Sequence, residues 1–320
     1  MRWYFGAEGP GAEPAALPFY CDPARVGAFA VAPAALARGD EAALFRLFVT
    51  LSMYQALRDV IIMERQRALP AAAVARVADL RTLGRAIERH PCAAFRAPAF
   101  AAACDIAKDG ARVDCATRPG APCPVKDATV AFHRMADLGK LPASAWLALW
   151  RDGDGADGGG GAGLAGVLAS VCRESPDPRT RAARMVARVS VVHRVGRKLA
   201  SLYVSALSTP TLAPGLTPWF PALDGHDILV IDTNVARAVD RLRPPGAPRT
   251  YDAREQWLRA QAAQIDLRAL RPDLPRTSPR LVQEALYAFC SRSNRSARGD
   301  RCAIAASSCE RCDRRICPFV

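Results

Sequence analysis

Lysine is nearly missing from this chain: 40 of its 44 basic residues are arginine, and Lys198 is the one lysine between residues 161 and 320. Each surviving lysine is therefore informative, because lysine can become a free amine nucleophile and arginine cannot. A long apolar run is missing too. The best stretch, residues 42–62, is interrupted by Arg46, Gln55, Arg58 and Asp59, which is too polar to span a bilayer. The first residues, Met1-Arg2-Trp3-Tyr4-Phe5-Gly6, lead into Gly, Pro and Glu with no apolar signal core. Repeats of solenoid period are absent. Eleven cysteines placed unevenly along 320 residues do not make the disulfide framework of a small secreted protein. These absences lead us to expect a soluble protein of a reducing compartment, cytoplasmic (nucleoid-associated if bacterial), with no membrane partner.

What is present is unevenly charged. The net charge is +13, of which residues 1–160 carry +2 and residues 161–320 carry +11. A coding bias toward arginine would enrich both halves alike. A basic half joined to a near-neutral one points instead to a polyanionic partner, most simply nucleic acid.

The last nineteen residues hold four cysteines, Cys302, Cys309, Cys312 and Cys317, spaced C-x6-C-x2-C-x4-C. A tail this short and polar cannot fold by burying apolar surface, and four thiolates are what a metal centre needs. Zinc prefers two C-x2-C knuckles and only one occurs. One long arm, one C-x2-C and one shorter arm favour a [4Fe–4S] cluster, with zinc as the alternative cofactor. Cys92, Cys104, Cys115 and Cys123 lie among Gly, Pro and charge at irregular spacings, and spacing alone favours buried or idle thiols there over a second metal site.

Helical patterning dominates the rest. Asp40 stands where a helix N-cap belongs, ahead of Leu44, Phe45, Leu47, Phe48, Leu51 and Met53. Helical spacing continues over residues 60–67, 71–89, 135–150, 179–192 and 198–206. Residues up to about 38 and 209–225 are Pro-rich loop, and 151–163 is a Gly/Asp linker. The apolar run Ile228-Leu229-Val230-Ile231 leads to Asp232, which would cap a helix over 233–242. Two residues stand out chemically. Lys198 offers an amine. Asp232 can combine capping with catalysis, since helix-terminal amides favour an ionised carboxylate able to stabilise a cation.

Three segments, in order, resemble the endonuclease III superfamily of helix-hairpin-helix DNA glycosylases. Val192-His193-Arg194-Val195-Gly196-Arg197-Lys198-Leu199-Ala200 is similar to that family's hairpin, roughly Leu-Pro-Gly-Val-Gly-Arg-Lys-Thr-Ala. Val230-Ile231-Asp232-Thr233-Asn234-Val235-Ala236-Arg237 is similar to its Val-Asp-Thr-His-Val-x-Arg segment, and the closing cysteines resemble its cluster loop. Leu51-Ser52 through Gln55 to Arg58-Asp59 resembles the helix end that supplies an intercalating glutamine. The chain departs from the pattern in four places. His193-Arg194 replaces Pro-Gly, the Lys198–Asp232 separation is longer, the last cluster arm is x4 where x5 is usual, and the glutamine segment is two residues longer. Residues 90–170 match nothing in the family.

The resemblance implies an all-α, two-lobed glycosylase fold with a C-terminal [4Fe–4S] loop. A helical core would run 40–205, with an insertion near 90–170, and the second lobe would join 1–39 to 206–320. It implies a monomer that binds double-stranded DNA through Arg194, Val195, Gly196 and Arg197, flips a damaged base and fills the gap with Gln55 or Tyr54. Asp232 would stabilise the cationic sugar, and Lys198 would form a Schiff base with C1′ and permit β-elimination, an AP lyase activity. The cluster would fix a basic loop bearing Arg301, Arg311, Arg314 and Arg315 against phosphates. The excised base is not legible; lyase chemistry makes oxidised pyrimidine the default, and uracil, mismatched adenine or a hypermodified base stay open. Two other readings stay open: a non-catalytic DNA-binding protein stapled by a metal centre, and an iron–sulfur redox regulator.

Overall fold

Apolar residues at three- and four-residue spacing dominate the chain, and helices are what they build. The computed structural model describes residues 1–5, 17–55, 57–109, 112–132, 138–151 and 163–291; Cys302, Cys309, Cys312 and Cys317 lie outside that range, as do the arginines around them. Numbering the described α-helices of eight or more residues gives α1 (Glu41–Ser52), α2 (Asp59–Ala68), α3 (Ala71–Ala78), α4 (Leu80–Glu88), α5 (Pro124–Ala131), α6 (Leu164–Glu174), α7 (Pro178–Val189), α8 (Arg197–Ser208), α9 (Thr233–Leu242), α10 (Tyr251–Ala263) and α11 (Pro279–Cys290). The sheet among the described residues is one antiparallel hairpin, β1 (Ile106–Asp109) and β2 (Arg112–Cys115), with Ile106 opposite Cys115. No described helix is long and apolar enough to cross a membrane. The fold is thus mainly helical, with a small hairpin in the region that the family resemblance leaves unmatched.

The chain divides into two compact units, Leu17–Asp224 and Met1–Ala16 with Gly225–Val320. The sequence places this division at 39/40 and 205/206, and packing explains the difference. Residues 17–39 look like loop, yet Tyr20, Cys21, Val26, Phe29, Val31 and Leu36 are all buried and the segment packs on α1, α2 and α3. The Pro-rich loop after α8 is folded back in the same way. Trp219 N–H donates to the Leu207 carbonyl at 3.0 Å, and its ring meets Tyr203 edge-on. Asp224 closes the loop on α7 through Arg179 Nε at 3.1 Å.

In the Leu17–Asp224 unit, α1 is the central helix. Asp40 caps it by accepting from Ala43 N–H at 3.0 Å, and Leu44, Phe45, Leu47, Phe48, Val49 and Leu51 are buried on nearly every side. A helix apolar all round belongs in a core, and truncating one of these leucines to alanine should cost about 2–5 kcal/mol. Trp150 packs edge-on against Phe45 and Phe48, and Tyr203 of α8 against Phe48. Glu41 ties the start of α1 to α6: its carboxylate accepts from Trp150 Nε1 at 2.6 Å and from Ala165 N–H at 2.7 Å. That bond supplies the cap α6 lacks, since Gly163 precedes it with no side chain. The single helix read over 71–89 is two. Asp79 takes an extended backbone, ends α3, and caps α4 by accepting from Thr82 N–H at 2.8 Å.

In the other unit α9, α10 and α11 pack pairwise, and the short helix Arg2–Phe5 lies on α11 with Phe5 buried. The run 228–231 is buried and belongs to no strand or helix. Its backbone groups are met by side chains: Val230 N–H donates to Gln283 Oε1 at 3.2 Å, and the Leu229 carbonyl accepts from Tyr251 O–H at 3.0 Å.

Candidate functional site

Helices α7 and α8 are joined by a tight turn over residues 190–196, and the sequence dictates its shape. Asp177 caps α7 by accepting from Thr180 N–H at 2.7 Å. After Val189, Val192 and Val195 turn inward and are buried, and Val195 N–H donates to the Val192 carbonyl at 2.9 Å. Ser144 Oγ takes the His193 N–H at 3.0 Å, fixing the turn from outside. Arg194 is forced into the left-handed region, φ 62°, where it is the sole non-glycine among the described residues. This is the position where the resembled hairpin carries glycine; the backbone keeps the glycine conformation although the residue is arginine. A left-handed non-glycine costs roughly 1–2 kcal/mol.

Gly196 presents the opposite case. It is the N-cap of α8, with φ −78° and ψ 176°, a conformation any residue adopts. A Cβ built there would meet nothing within 4 Å. Neither strain nor packing requires glycine at this exposed position. Leu199 N–H donates to the Gly196 carbonyl at 3.0 Å and starts the helix, and the missing Cβ at Gly196 leaves the helix N-terminus open to close approach by an anion. Val195, by contrast, has its side chain in the core, so only its backbone is available to a ligand.

Lys198 occupies the first turn of α8, half-buried, and its ammonium donates to the Tyr54 main-chain carbonyl at 3.0 Å. Two contacts hold it there. Tyr203, fully buried one turn further on, donates O–H to the Leu44 carbonyl of α1 at 3.1 Å, and its ring packs on Phe48. Helix α8 is thereby aligned on α1, whose C-terminal end runs into the turn holding Tyr54 and Gln55. The structure brings Lys198 together with that turn.

The two candidates in the turn differ. Gln55 is half-buried and bonded back to the Ser52 carbonyl at 2.8 Å. Tyr54 is turned into the core. Its ring packs on Phe19 at 5.2 Å, its hydroxyl reaches Gln66 Oε1 at 3.4 Å, and burial pushes its pKa well up. The Tyr54 ring is thus held in the core, and its main-chain carbonyl is the part of it that meets Lys198.

Asp232 belongs to the other unit. It is the N-cap of α9, which runs Thr233–Leu242 as expected, and it accepts from Val235 N–H at 2.7 Å and from Asn234 Nδ2 at 3.4 Å. Val235, Ala238 and Val239 are buried beneath it, so the carboxylate sits on a helix that cannot rotate without opening the core. Much of the arginine nearby in sequence is engaged in structure: Arg254 clamps Asp240 with two bonds of 2.9 and 2.7 Å, and Arg184 and Arg188 share Glu174.

Comparison with family models, curated proteins and solved structures finds no match for the chain. The resemblance to the glycosylases accordingly rests on the sequence motifs. Sequence reasoning missed Ser144, which anchors the hairpin from 49 residues away; a lone serine in a helix carries no signal of such a role. It also missed that Cys92, Cys104, Cys115 and Cys123 line one recess.

Proposed function

We propose that the protein is a DNA glycosylase of the helix-hairpin-helix type that extrudes a damaged or modified base and cleaves its N-glycosidic bond, with AP lyase activity carried by Lys198. The observation that carries this reading is the hairpin. A left-handed backbone at Arg194, an open glycine at Gly196 and a first-turn lysine directed at the Gln55 turn together fit a phosphate cradle beside a nucleophile and a wedge.

The chemistry follows from these residues. DNA phosphates bind through the amides of the first turn of α8, with the exposed Arg194 and Arg197 adding charge. Gln55 fills the space left by the flipped nucleotide. Asp232 stabilises positive charge at C1′ as the bond to the base breaks. The neutral Lys198 amine adds to C1′ and the base leaves with the bonding pair and one of the amine's protons; the nitrogen lone pair then forms the C1′=N bond as C1′–O4′ breaks and O4′ takes up a proton, which opens the sugar and gives a protonated Schiff base. Loss of a C2′ proton then expels the 3′ phosphate. Cys302, Cys309, Cys312 and Cys317 form an all-thiol donor set suited to a [4Fe–4S] cluster, or in the alternative to zinc; the centre would order the basic tail against DNA. The working substrate is duplex DNA carrying an oxidised pyrimidine, and the working state is a monomer.

The testing experiment is a panel of lesion-bearing duplexes assayed separately for base release and for strand cleavage. Release from at least one lesion is expected. Tight, salt-dependent duplex binding with no release from any lesion would replace the enzyme by a DNA-binding module. One observation favours that second reading: a lysine already bonded to a carbonyl at 3.0 Å also serves as a simple staple between α8 and the Gln55 turn.

A further inference from the structure

Cys92, Cys104, Cys115 and Cys123 are single cysteines separated by eleven, ten and seven residues, yet four separate elements deliver them to one place. Cys92 precedes the 3-10 turn Ala93–Arg96, and Cys104 follows the short helix Phe100–Ala103. Cys115 ends β2, paired with Ile106 on the strand that starts two residues after Cys104. Cys123 is the N-cap of α5. All four are half-buried free thiols, and all four line one recess that is partly open to solvent. Its walls include the stacked rings of Phe95 and Phe100, and His90, held by the Pro122 carbonyl at 3.1 Å.

Backbone N–H groups reach two of the sulfurs, from Ile106 at Cys104 and from Val125 and Lys126 at Cys123. Arg118 adds an independent observation. It lines the same recess, and its Nε is buried with no hydrogen-bond partner. A buried guanidinium nitrogen without an acceptor is costly, and an anionic group in the recess would supply one.

The choice of occupant follows from spacing in three dimensions. Among the described residues, no three Cys, His, Asp or Glu side chains are grouped to hold one metal ion. A single zinc would draw four sulfurs to about 2.3 Å from one centre, and C-x2-C pairs, which do that by pinching, are absent here. A cubane cluster takes one thiolate at each corner, so its ligands stand apart around a body that fills the space between them. Amide N–H groups aimed at the sulfurs belong to the same arrangement. We infer that Cys92, Cys104, Cys115 and Cys123 hold a [4Fe–4S] cluster, built from iron and inorganic sulfide and separate from any centre on the C-terminal cysteines. It staples the segment from Cys92 to Cys123, within the 90–170 region that the family resemblance leaves unmatched.

The test uses the full chain purified without oxygen, with iron, sulfide and zinc measured per chain. The double variant Cys104→Ser/Cys123→Ser should lose about four irons relative to wild type, while Cys309→Ser/Cys312→Ser should leave those four in place. Unchanged iron in the first variant, or zinc in place of iron, overturns the proposal. Iron lost only from the tail variant would do so too, and would leave the C-terminal centre standing. Because the first variant could misfold, wild type is also alkylated in the native state before and after iron chelation, and the modified cysteines are mapped by mass. Cys92, Cys104, Cys115 and Cys123 should be protected together and become reactive together when iron is removed. Immediate alkylation of the four in the iron-loaded protein refutes the cluster.

Discussion

Lys198 and Tyr54 stand 144 residues apart in sequence and meet through one hydrogen bond, lysine Nζ to tyrosine carbonyl, at 3.0 Å. The bond joins the first turn of α8 to the turn after α1, so the candidate nucleophile and the Gln55 turn are held as one piece. A nucleophile has to be fixed within a fraction of an ångström of its target, and a helix terminus braced by a second helix does that better than a loop. The Tyr203–Leu44 bond and the Phe48–Tyr203 contact keep the two helices in register behind it.

Gly196→Ala separates folding from binding. The added Cβ meets nothing within 4 Å and the backbone conformation is ordinary, so thermal stability should change by less than about 1 kcal/mol. Affinity for duplex DNA should nevertheless fall several-fold, because the methyl group stands where a phosphate approaches the amides. Equal affinity for the two proteins would mean that the hairpin backbone does not touch DNA.

Glu41 gives the fold a local pH dependence. Burial raises its carboxyl pKa, against the opposing hydrogen bonds from Ala165 and Trp150. The folded state then holds this proton more tightly than the unfolded chain. The contribution is fully present below the unfolded value of 4.5 and is lost as pH rises through the folded one. Denaturant titrations of wild type and Glu41→Gln across pH 4 to 7 should show wild type losing stability relative to the variant as pH rises. A constant difference would refute this.

The tail predicts colour. Protein purified without oxygen should be brown and contain iron and sulfide, and Cys309→Ser or Cys312→Ser should leave the tail sensitive to protease while Leu17–Asp224 resists it. Colourless wild type with stoichiometric zinc would replace the C-terminal cluster by zinc.

Asp232→Asn should lower base release by at least about 10²-fold, the scale for losing one charge-stabilising group, and leave duplex affinity within a few-fold. The substituted side chain can still accept from Val235 N–H, so α9 should remain capped and its stability nearly unchanged. A proportionate loss of binding would mark Asp232 as a DNA contact and nothing more.

What the sequence made legible was local. Helix α9 and its Asp232 cap match residue for residue, because an aspartate before a helical apolar pattern leaves few alternatives. Helices α1, α7 and α8 were readable as helices, although α7 ends at Val189, three residues before the spacing suggests, and α8 runs Arg197–Ser208 rather than 198–206. The break at Asp79 was not, since helical spacing runs straight through it and the aspartate reads as one more polar position. The assignment of residues 17–39 and 209–224 was also hidden. Irregular segments have no period, and whether Phe29 or Trp219 is buried depends on partners far along the chain. The convergence of Cys92, Cys104, Cys115 and Cys123 is non-local in the same sense: their spacings are irregular because four different elements supply them.

The central claim is that Lys198 attacks C1′, and borohydride trapping tests it most directly. With DNA carrying an abasic site or the processed lesion, borohydride should reduce the Schiff base and leave wild-type protein covalently attached to the strand. Lys198→Gln should lose trapping and strand cleavage together. Lys198→Arg should lose both as well, although it keeps the charge and a donor for the Tyr54 carbonyl, because a guanidinium cannot supply the free amine. A Lys198→Arg protein that still nicks DNA, or that is still trapped, would contradict the account and leave Lys198 as a staple between two elements.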